Sequence, residues 1–443
     1  MKRTIIKETL SEKNKEVLIK GWVDTRRDHG KIVFLDLRDR SGIIQVVCAP
    51  ENAKDIKEEY VLEIKGKIKE RPEKMINPEI ETGKIEIEAK EIKIIAESES
   101  LPFDIKEGIN LSLPILLDNR ALTLRNEKIK AIFKIKEETI SSFRNTLKEM
   151  DFTEFQAPTI VPTATEGGSE VFRIDYYGHD AYLAQSPQLY KQILVGVFER
   201  VFTVTHAFRA EPSITTRHLS EYISLDAEMG FLDSWTDLMD IVEIVIKNIF
   251  KDLEEKCEKE LELFDAKMPK IGTKIPRIKM REAQEIIFKR TKRDNRKKPD
   301  LEPEDEKEII EWAEKEHNSE LIFITHYPTK KRPFYTYQDP ENKEYTLSFD
   351  VLLRGLEIVT GGQRINDYKQ LLKNIDEWGN KKEDFQLYLQ AFQYGMPEEG
   401  GFALGAERIV KQILNLSNLR EASIFPRDMG RIDHRLKQND KKH

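Results

Sequence analysis

The sequence predicts an α+β protein of two domains, a small β-barrel followed by a larger domain around a largely antiparallel sheet. Three features carry that expectation. At 443 residues the chain is too long for one hydrophobic core. Its first hundred residues are almost wholly short β-rich runs, and from about Asn119 the texture changes to strands alternating with helices.

The early runs are VLIKGWV (17–23), KIVFLDLRD (31–39), GIIQVVC (42–48), YVLEIKGKIKE (60–70) and KIEIEAKEIKIIAE (84–97). Gly, Pro, Asn or charged turns separate them, and a helical stretch is expected near 51–59. Five strands so arranged suit a Greek-key barrel of the OB type over 1–101. LPFDIKEGINLSLP (101–114) has prolines at both ends and little periodicity, so 102–119 reads as a linker. The second domain, 120–443, opens with helical spacing over 125–150, where Ile129, Ile132, Phe133, Ile135, Ile140, Phe143 and Leu147 recur. Further helices are expected at 188–200, 235–256 and 281–290, and strands at 201–211, 222–232, 321–326 and 345–360. Mixed elements over more than three hundred residues imply an antiparallel sheet with flanking helices.

Composition narrows the class. Hydrophobic residues make up 39% and charged residues 35%, as in a soluble protein with a charged surface. No run approaches the roughly 20 apolar residues needed to cross a bilayer, and MKRTIIKETLSEKNKE lacks the apolar centre of a signal peptide, so a cytoplasmic protein is expected. Cys48 and Cys257 stand in unrelated contexts, which argues against disulfides and zinc. A net charge of −7 does not announce a nucleic-acid binder, but phosphate contacts depend on local patches. Residues 281–298 hold eight Lys/Arg against three acids, and Arg427–His443 hold six against three. Solvated surface charge would look the same.

Three segments carry chemistry. In VFTVTHAFRAE (201–211), strand alternation puts Thr203, Thr205, Arg209 and Glu211 on one side; Arg217 and His218 follow in a polar loop, and Ser224, Asp226 and Glu228 return on one face. An incidental set of ion pairs on a solvated sheet would show the same residues. In YTLSFDVLLRGLEIVTGGQR (345–364), a hairpin turn at Arg354-Gly355 sets Leu352 opposite Glu357, with Asp350 diagonal on that face. Two carboxylates so held suit Mg²⁺ carrying nucleotide phosphates, or form a structural pair neutralised by arginines. GGFALGAER (400–408) offers a flat, side-chain-free surface with a guanidinium at its edge. No Walker-type loop or dinucleotide glycine motif is present.

Taken in order, these segments resemble motifs 2 and 3 of the class II aminoacyl-tRNA synthetases, with the metal-binding strands between them. FRAE (208–211) with TTRHL (215–219) is similar to motif 2 of the aspartyl subgroup, and GAER (405–408) to motif 3. The helix ending near Met150 plus FTEFQAP is similar to the dimer-forming motif 1, with Pro158 as its proline, so a homodimer is implied. The barrel resembles the subgroup's anticodon-binding domain. The architecture resembles the shorter archaeal and eukaryotic form.

The resemblance implies a catalytic domain of the class II type that joins aspartate to tRNA(Asp) using ATP and Mg²⁺. QSPQLYK (185–191) matches the lysine-bearing segment, bringing Gln188 and Lys191, and GGQR brings Arg364. Two cations aimed at a β-carboxylate in a dry pocket would be left unpaired by asparagine. Asparaginyl enzymes, the nearest rival, lack that lysine; a non-catalytic RNA-binding relative would lack a motif arginine, whereas Arg209 and Arg408 are present. Glu166 and Asp226 are implied at the substrate amine. Arg209 is implied between α-phosphate and carboxylate, and Arg408 at the γ-phosphate. Glu211, Arg217, His218, Leu219, Gly405, Ala406 and Glu407 are implied around the rest of ATP, with Glu357, Asp350 and Thr360 at Mg²⁺. Thr360 replaces the usual serine and keeps its hydroxyl; Ala403 replaces a usual glycine.

In the barrel, Val33, Leu35 and Leu37 face one way and Ile32, Phe34, Asp36 and Arg38 the other. Phe34 resembles the residue that stacks on an anticodon base, Gln45 the one reading the central uracil, and Arg27 a backbone contact. His29 and Pro78 resemble choices seen in relaxed enzymes, so tRNA(Asn) is expected as a second partner, although Asp24 matches neither group.

Overall fold

The computed structural model describes residues 1–106, 111–163, 171–211 and 215–436. The chain forms two compact units, Met1–Asp104 and Ile105–His443. In the first, β1 (Glu16–Asp28), β2 (Val33–Asp39), β3 (Gly42–Cys48), β4 (Val61–Glu70) and β5 (Ile85–Ala96) close into a barrel in the order β1-β2-β3-β5-β4. Alternation along β2 buries Val33, Leu35 and Leu37 completely and leaves Phe34, Asp36 and Arg38 partly exposed. The helix expected near 51–59 is only a 3₁₀ turn at Pro50–Asn52. The segment drops Ala53 and Ile56 into the barrel core instead.

In the second unit, β6 (Thr153–Glu154) is followed by β7 (Ile160–Val161), β8 (Arg173–Tyr176) and β9 (His179–Leu183), which form a small sheet in the order β7-β9-β8. Next come β10 (Arg200–Phe208), β11 (Glu221–Gly230), β12 (Arg277–Lys279) and β13 (Leu321–Thr325). The last strands are β14 (Ser348–Leu353), β15 (Leu356–Gln363) and β16 (Glu399–Gly405). The main sheet runs β12-β13-β14-β15-β16-β11-β10-β6. It is antiparallel except at its ends, where β12 joins β13 and β10 joins β6 in parallel. Helices Glu127–Glu149 and Thr236–Lys256 cover one face. Their Ile132, Ile135, Phe143, Leu147, Val242 and Ile249 pack on Leu225, Ala227, Phe349, Val351, Phe402 and Leu404. Asn126 caps the first helix by accepting from the backbone N–H groups of Lys128 and Ile129.

Three expectations need correcting. The stretch read as a linker, 102–119, contains a helix at Leu113–Asp118 that buries Leu116 and Leu117. Its proline sits in the first turn, where no intrahelical N–H is lost. The strand expected over 201–211 ends at Phe208, so Arg209 and Glu211 leave the sheet rather than continuing its alternation. Helices at Pro303–His317, Tyr368–Glu377 and Gln386–Gln393 were not expected. The first of these also engages two arginines of the basic stretch 281–298: Arg290 pairs with Glu308, and Arg293 with Glu304 and Asp305. Both cysteines are buried and free. Among the described residues no helix is long and apolar enough to cross a membrane.

Candidate active site

The sheet face away from the long helices is built as transverse rows. Register aligns Asp350, Thr360, Ala403, Asp226 and Thr203 across β14, β15, β16, β11 and β10. Two residues along, on the same face, the row is Ser348, Gly362, Gly401 and Glu228. Small residues at 401, 362 and 403 lower the floor between flanking acids. A Cβ at Gly401 would run into the Glu228 carboxylate, so glycine there is what lets that acid lie flat. Gly400 is packed by Leu238 and the Gly362 carbonyl. These two glycines therefore serve strand packing and Glu228, and the open surface predicted for GGFALGAER is confined to Ala403, Leu404 and Gly405.

Over this floor lies a chamber of about 470 Å³ lined by Gln188, Lys191, Arg209, Asp226, Thr360 and Arg364, among others. Helix Gln188–Phe198 drives Lys191 into it, 1% exposed, and Lys191 Nζ reaches Asp226 Oδ1 at 3.0 Å and Glu228 Oε2 at 3.1 Å. Arg364 Nε donates to Glu228 Oε1 at 2.7 Å and Nη2 to the Gly401 carbonyl at 3.2 Å. Burial works against the Arg364 charge, but the Glu228 carboxylate outweighs it and holds the guanidinium firmly protonated. Ser224 Oγ donates to Asp226. Gln188 Nε2 donates to Gln192 Oε1 at 2.9 Å, behind the pocket wall. Two fully buried cations are thus held by two fully buried carboxylates.

A second cavity adjoins the first, sharing Arg209, Tyr222, Ser224, Glu357, Thr360 and Ala403 with it. Glu211, Arg217, His218, Leu219, Gly405, Glu407 and Arg408 complete much of its wall. Arg209, 5.5 Å over the Tyr222 ring, stands 3.7 Å from Glu211. Arg217 is tied to Glu306 at 2.6 Å and to the Gly355 carbonyl at 3.1 Å. His218 Nε2 is 3.4 Å from Glu211. Burial lowers the His218 pKa; Glu211 opposes this, and Arg408, Arg209 and Arg217 push it further down. Ala406 is completely buried at the start of helix Ala406–Ile413. Glu407 borders the cavity, but its carboxylate pairs with Lys136 and accepts from the Ile223 N–H, so it braces the helix.

On the hairpin, Leu352 does pair with Glu357, and a bulge between Val351 and Leu352 sets Asp350 opposite Thr360. Each acid has an arginine: Arg408 lies 3.1 Å from Glu357, and Arg332 lies 2.8 Å from Asp350. Arg332 also donates to Thr360 Oγ1 at 3.2 Å and sits 4.0 Å over the Tyr327 ring. Surrounding protein raises the Glu357 pKa although part of its side chain meets solvent; Arg408 opposes this and Asp350 adds to it. Arg332 was not anticipated, since it lies just past a 3₁₀ turn with no strand or helix period to mark it. Glu228 was legible by alternation from Asp226. Glu166 lies outside the described residues.

In the barrel, Arg27 grips Asp36 with two hydrogen bonds of 2.7 and 2.9 Å and reaches Gln45 Oε1 at 3.2 Å. Gln45 Nε2 donates to Glu86 at 2.9 Å. His29 meets the Phe34 ring edge-on with centroids 5.3 Å apart. Pro78 is exposed in the loop between β4 and β5. Arg27, Phe34, Gln45 and His29 thus form one polar and aromatic surface, and Pro78 stands on a separate loop.

Known proteins share this plan. Residues 112–429 match the family described as tRNA synthetases class II (D, K and N), and residues 17–95 match the OB-fold nucleic acid binding domain. The chain is 41% identical to a Thermus thermophilus protein named aspartate–tRNA(Asp/Asn) ligase, over 97% of this chain and 99% of that one. It is 39% identical to a Deinococcus radiodurans protein of the same name, over 98% and 99%. An aspartate–tRNA(Asp) ligase of Pyrococcus furiosus is 37% identical over 98% and 100%. Among solved structures, an asparaginyl-tRNA synthetase of Pyrococcus horikoshii complexed with asparaginyl-adenylate superposes with a TM-score of 0.88 at 31% identity, covering 98% of this chain and 99% of that one. With the family matched over most of its length and the paired chambers in place, the chain belongs to the class II tRNA synthetases of the D, K and N group, enzymes that use ATP with a divalent metal.

Proposed function

We propose that this enzyme is an aspartate–tRNA ligase, and the observation that carries the reading is the joined pair of chambers, one lined by buried Lys191 and Arg364 and the other by arginines. The first takes aspartate. Lys191 and Arg364 receive the β-carboxylate, Asp226 and Glu166 receive the α-amine, and Gln188 and Thr360 complete the wall. Asparagine brings no negative charge to Lys191 and Arg364 and sets an NH₂ donor against groups that can only donate, so it binds more weakly than aspartate. The second chamber takes ATP, with Arg217, His218 and Arg408 along the phosphates and Ala403 to Gly405 beneath the base.

Arg209 belongs to both walls, which supports a place between the α-carboxylate and the α-phosphate. There it brings two anions together and offsets charge building on the phosphorane-like transition state. The aspartate α-carboxylate oxygen attacks the α-phosphorus, the bond to the bridging oxygen breaks, and pyrophosphate leaves. A terminal ribose hydroxyl of tRNA then attacks the adenylate carbonyl, and AMP departs with the electron pair. No side chain is needed as nucleophile.

Glu357 and Asp350 fit a divalent cation. Their mutual repulsion contributes to the raised Glu357 pKa, and a cation between them would relieve it. Mg²⁺ takes one or two carboxylates and completes its shell with phosphates and water, which this pair beside the phosphate chamber would allow. When bound, Mg²⁺ would supply Lewis-acid stabilisation of phosphate charge, with Glu357, Asp350 and Thr360 as its protein side.

We read the barrel surface of Arg27, Phe34, Gln45 and His29 as the anticodon contact, with Pro78 on its second loop. Relatives named for tRNA(Asp/Asn) stand among the more similar proteins, which supports tRNA(Asn) as a second substrate beside tRNA(Asp). A homodimer through the Pro158 region and a cytoplasmic place of work accompany this reading. The direct test is aspartate-dependent pyrophosphate exchange in Lys191→Ala: loss of exchange with ATP binding intact supports the pocket, and full retention refutes it. Charging of tRNA(Asp) and tRNA(Asn) transcripts in separate reactions decides the second substrate.

A further inference from the structure

Behind the amino-acid chamber lies an acid that the proposed mechanism does not use. Glu399, the first residue of β16, is completely buried. It shares a face with Gly401 and Ala403, one row beyond Glu228. One carboxyl oxygen, Oε1, accepts from Gln192 Nε2 at 2.9 Å, and Gln192 in turn accepts from Gln188 Nε2 at 2.9 Å and from the Tyr388 hydroxyl at 3.3 Å. The other oxygen, Oε2, has no hydrogen-bond partner among the described residues. No ion pair to Glu399 exists among them either, because Lys191 and Arg364 are already engaged by Asp226 and Glu228.

Charge counting then matters. Lys191 and Arg364 carry two positive charges, and Asp226 and Glu228 carry two negative ones. An ionised Glu399 would leave this buried group at −1 before any substrate enters, and a β-carboxylate would make it worse. A protonated Glu399 leaves it at zero. The charged and titratable groups facing Glu399 are Glu228 from β11, Arg364 after β15, Lys191 from the helix that carries Gln192, and Tyr388 from helix Gln386–Gln393. Burial and the Glu228 carboxylate both drive Glu399 toward its neutral form, and the Gln192 hydrogen bond, Arg364 and Lys191 oppose them without prevailing.

We propose that Glu399 is a specificity-determining positioning residue for the acidic substrate: it stays in the neutral carboxylic acid form, so that Lys191 and Arg364 remain available to the incoming β-carboxylate. This rests on the aspartate reading above. Above the pH at which Glu399 releases its proton, aspartate binding must take a proton up again, whereas a neutral side chain would feel little difference.

The test is the KM for aspartate and kcat in pyrophosphate exchange from pH 6 to 9, for the wild-type enzyme and Glu399→Gln. In the wild type, the KM should rise by up to about tenfold per pH unit once Glu399 ionises, with kcat little changed. In Glu399→Gln, which cannot ionise, that rise should vanish. A KM raised tenfold or more at pH 7 in Glu399→Gln would overturn the proposal, because the pocket would then need the anion. Persistence of the slope in the variant would also overturn it. Should both profiles be flat, infrared difference spectra decide: a protonated-carboxyl stretch lost in Glu399→Gln supports the neutral acid, and its absence from the wild type refutes it. Failure of the underlying reading looks different, since the wild type would then show no aspartate-dependent exchange at any pH.

Discussion

The two chambers differ in how their charges are held. Around the amino-acid chamber, the side chains of Lys191, Glu228 and Arg364 are 2%, 0% and 8% exposed and lock each other at 2.7 to 3.1 Å. Along the phosphate chamber, Arg209 and His218 are each 37% exposed, and their acid partner Glu211 stands 3.4 to 3.7 Å away. The first is a finished lattice into which a small anion must fit. The second is more exposed: even Arg217 and Arg408, tied to Glu306 at 2.6 Å and to Glu357 at 3.1 Å, keep a quarter of their side chains open to solvent, so its wall can adapt to a larger, more highly charged ligand. Selectivity suits the rigid half, because an unpaired buried charge is costly there; charge stabilisation suits the adaptable half.

Arg364→Ala should break the contrast most severely. It leaves Glu228 buried with Lys191 as its only cation, and stability should fall by about 3–5 kcal/mol in chemical denaturation. Arg408→Ala should do the opposite: a stability change below about 1 kcal/mol, since its pairing with Glu357 is solvent-accessible, but a loss in exchange kcat of roughly 10²–10³. If the two variants behaved alike in both measurements, the division of labour would be wrong. Gly401→Ala sharpens the same point more gently. The added methyl would meet both the Glu228 carboxylate and the Ala227 backbone carbonyl, so about 1–3 kcal/mol of stability or more should go, together with a higher KM for aspartate and little change in that for ATP.

The smallest effect is on pH. His218 has a lowered pKa in the free enzyme and is neutral at pH 7, with burial and three nearby arginines responsible. ATP phosphates would favour the imidazolium, so ATP binding takes up a proton and tightens as pH falls. The KM for ATP should therefore decrease a few-fold from pH 8 to 6, within the limit of about tenfold per unit, and His218→Ala should remove that slope. The amino-acid side should show its own dependence in the opposite half of the range, through Glu399.

Much of this was legible because strands advertise their faces. Alternation in β11 put Ser224, Asp226 and Glu228 on one side, and the Arg354-Gly355 turn set the Leu352–Glu357 pair, whereas β16 was read only as a glycine-rich surface, so Glu399 went unseen. What stayed hidden lacked a period. Arg332 follows a 3₁₀ turn, and nothing in its neighbours says that it reaches Asp350 and Thr360. The strand ending at Phe208 was overrun because Arg209 and Glu211 fit the alternation as well as any strand residue. Helix Pro303–His317 was missed for its polarity. Its PEDEKEIIEWAEKEH buries Ile309, Ile310 and Ala313 but uses its acids on Arg217, Arg290 and Arg293. Lys191 is the reverse case: a lysine on a helix reads as surface, and only its place in QSPQLYK set it apart.

The wall shared at Arg209, Thr360 and Ala403 has a consequence for ligand design. A single compound filling both chambers loses its translational and rotational freedom once, where two separate compounds lose it twice. Non-hydrolysable mimics of the acyl-adenylate should accordingly bind far more tightly than the product of their fragments' affinities per molar would suggest from contacts alone. Shortening the link by one atom should forfeit most of that gain, because the locked cations of one chamber cannot follow the ligand into the other.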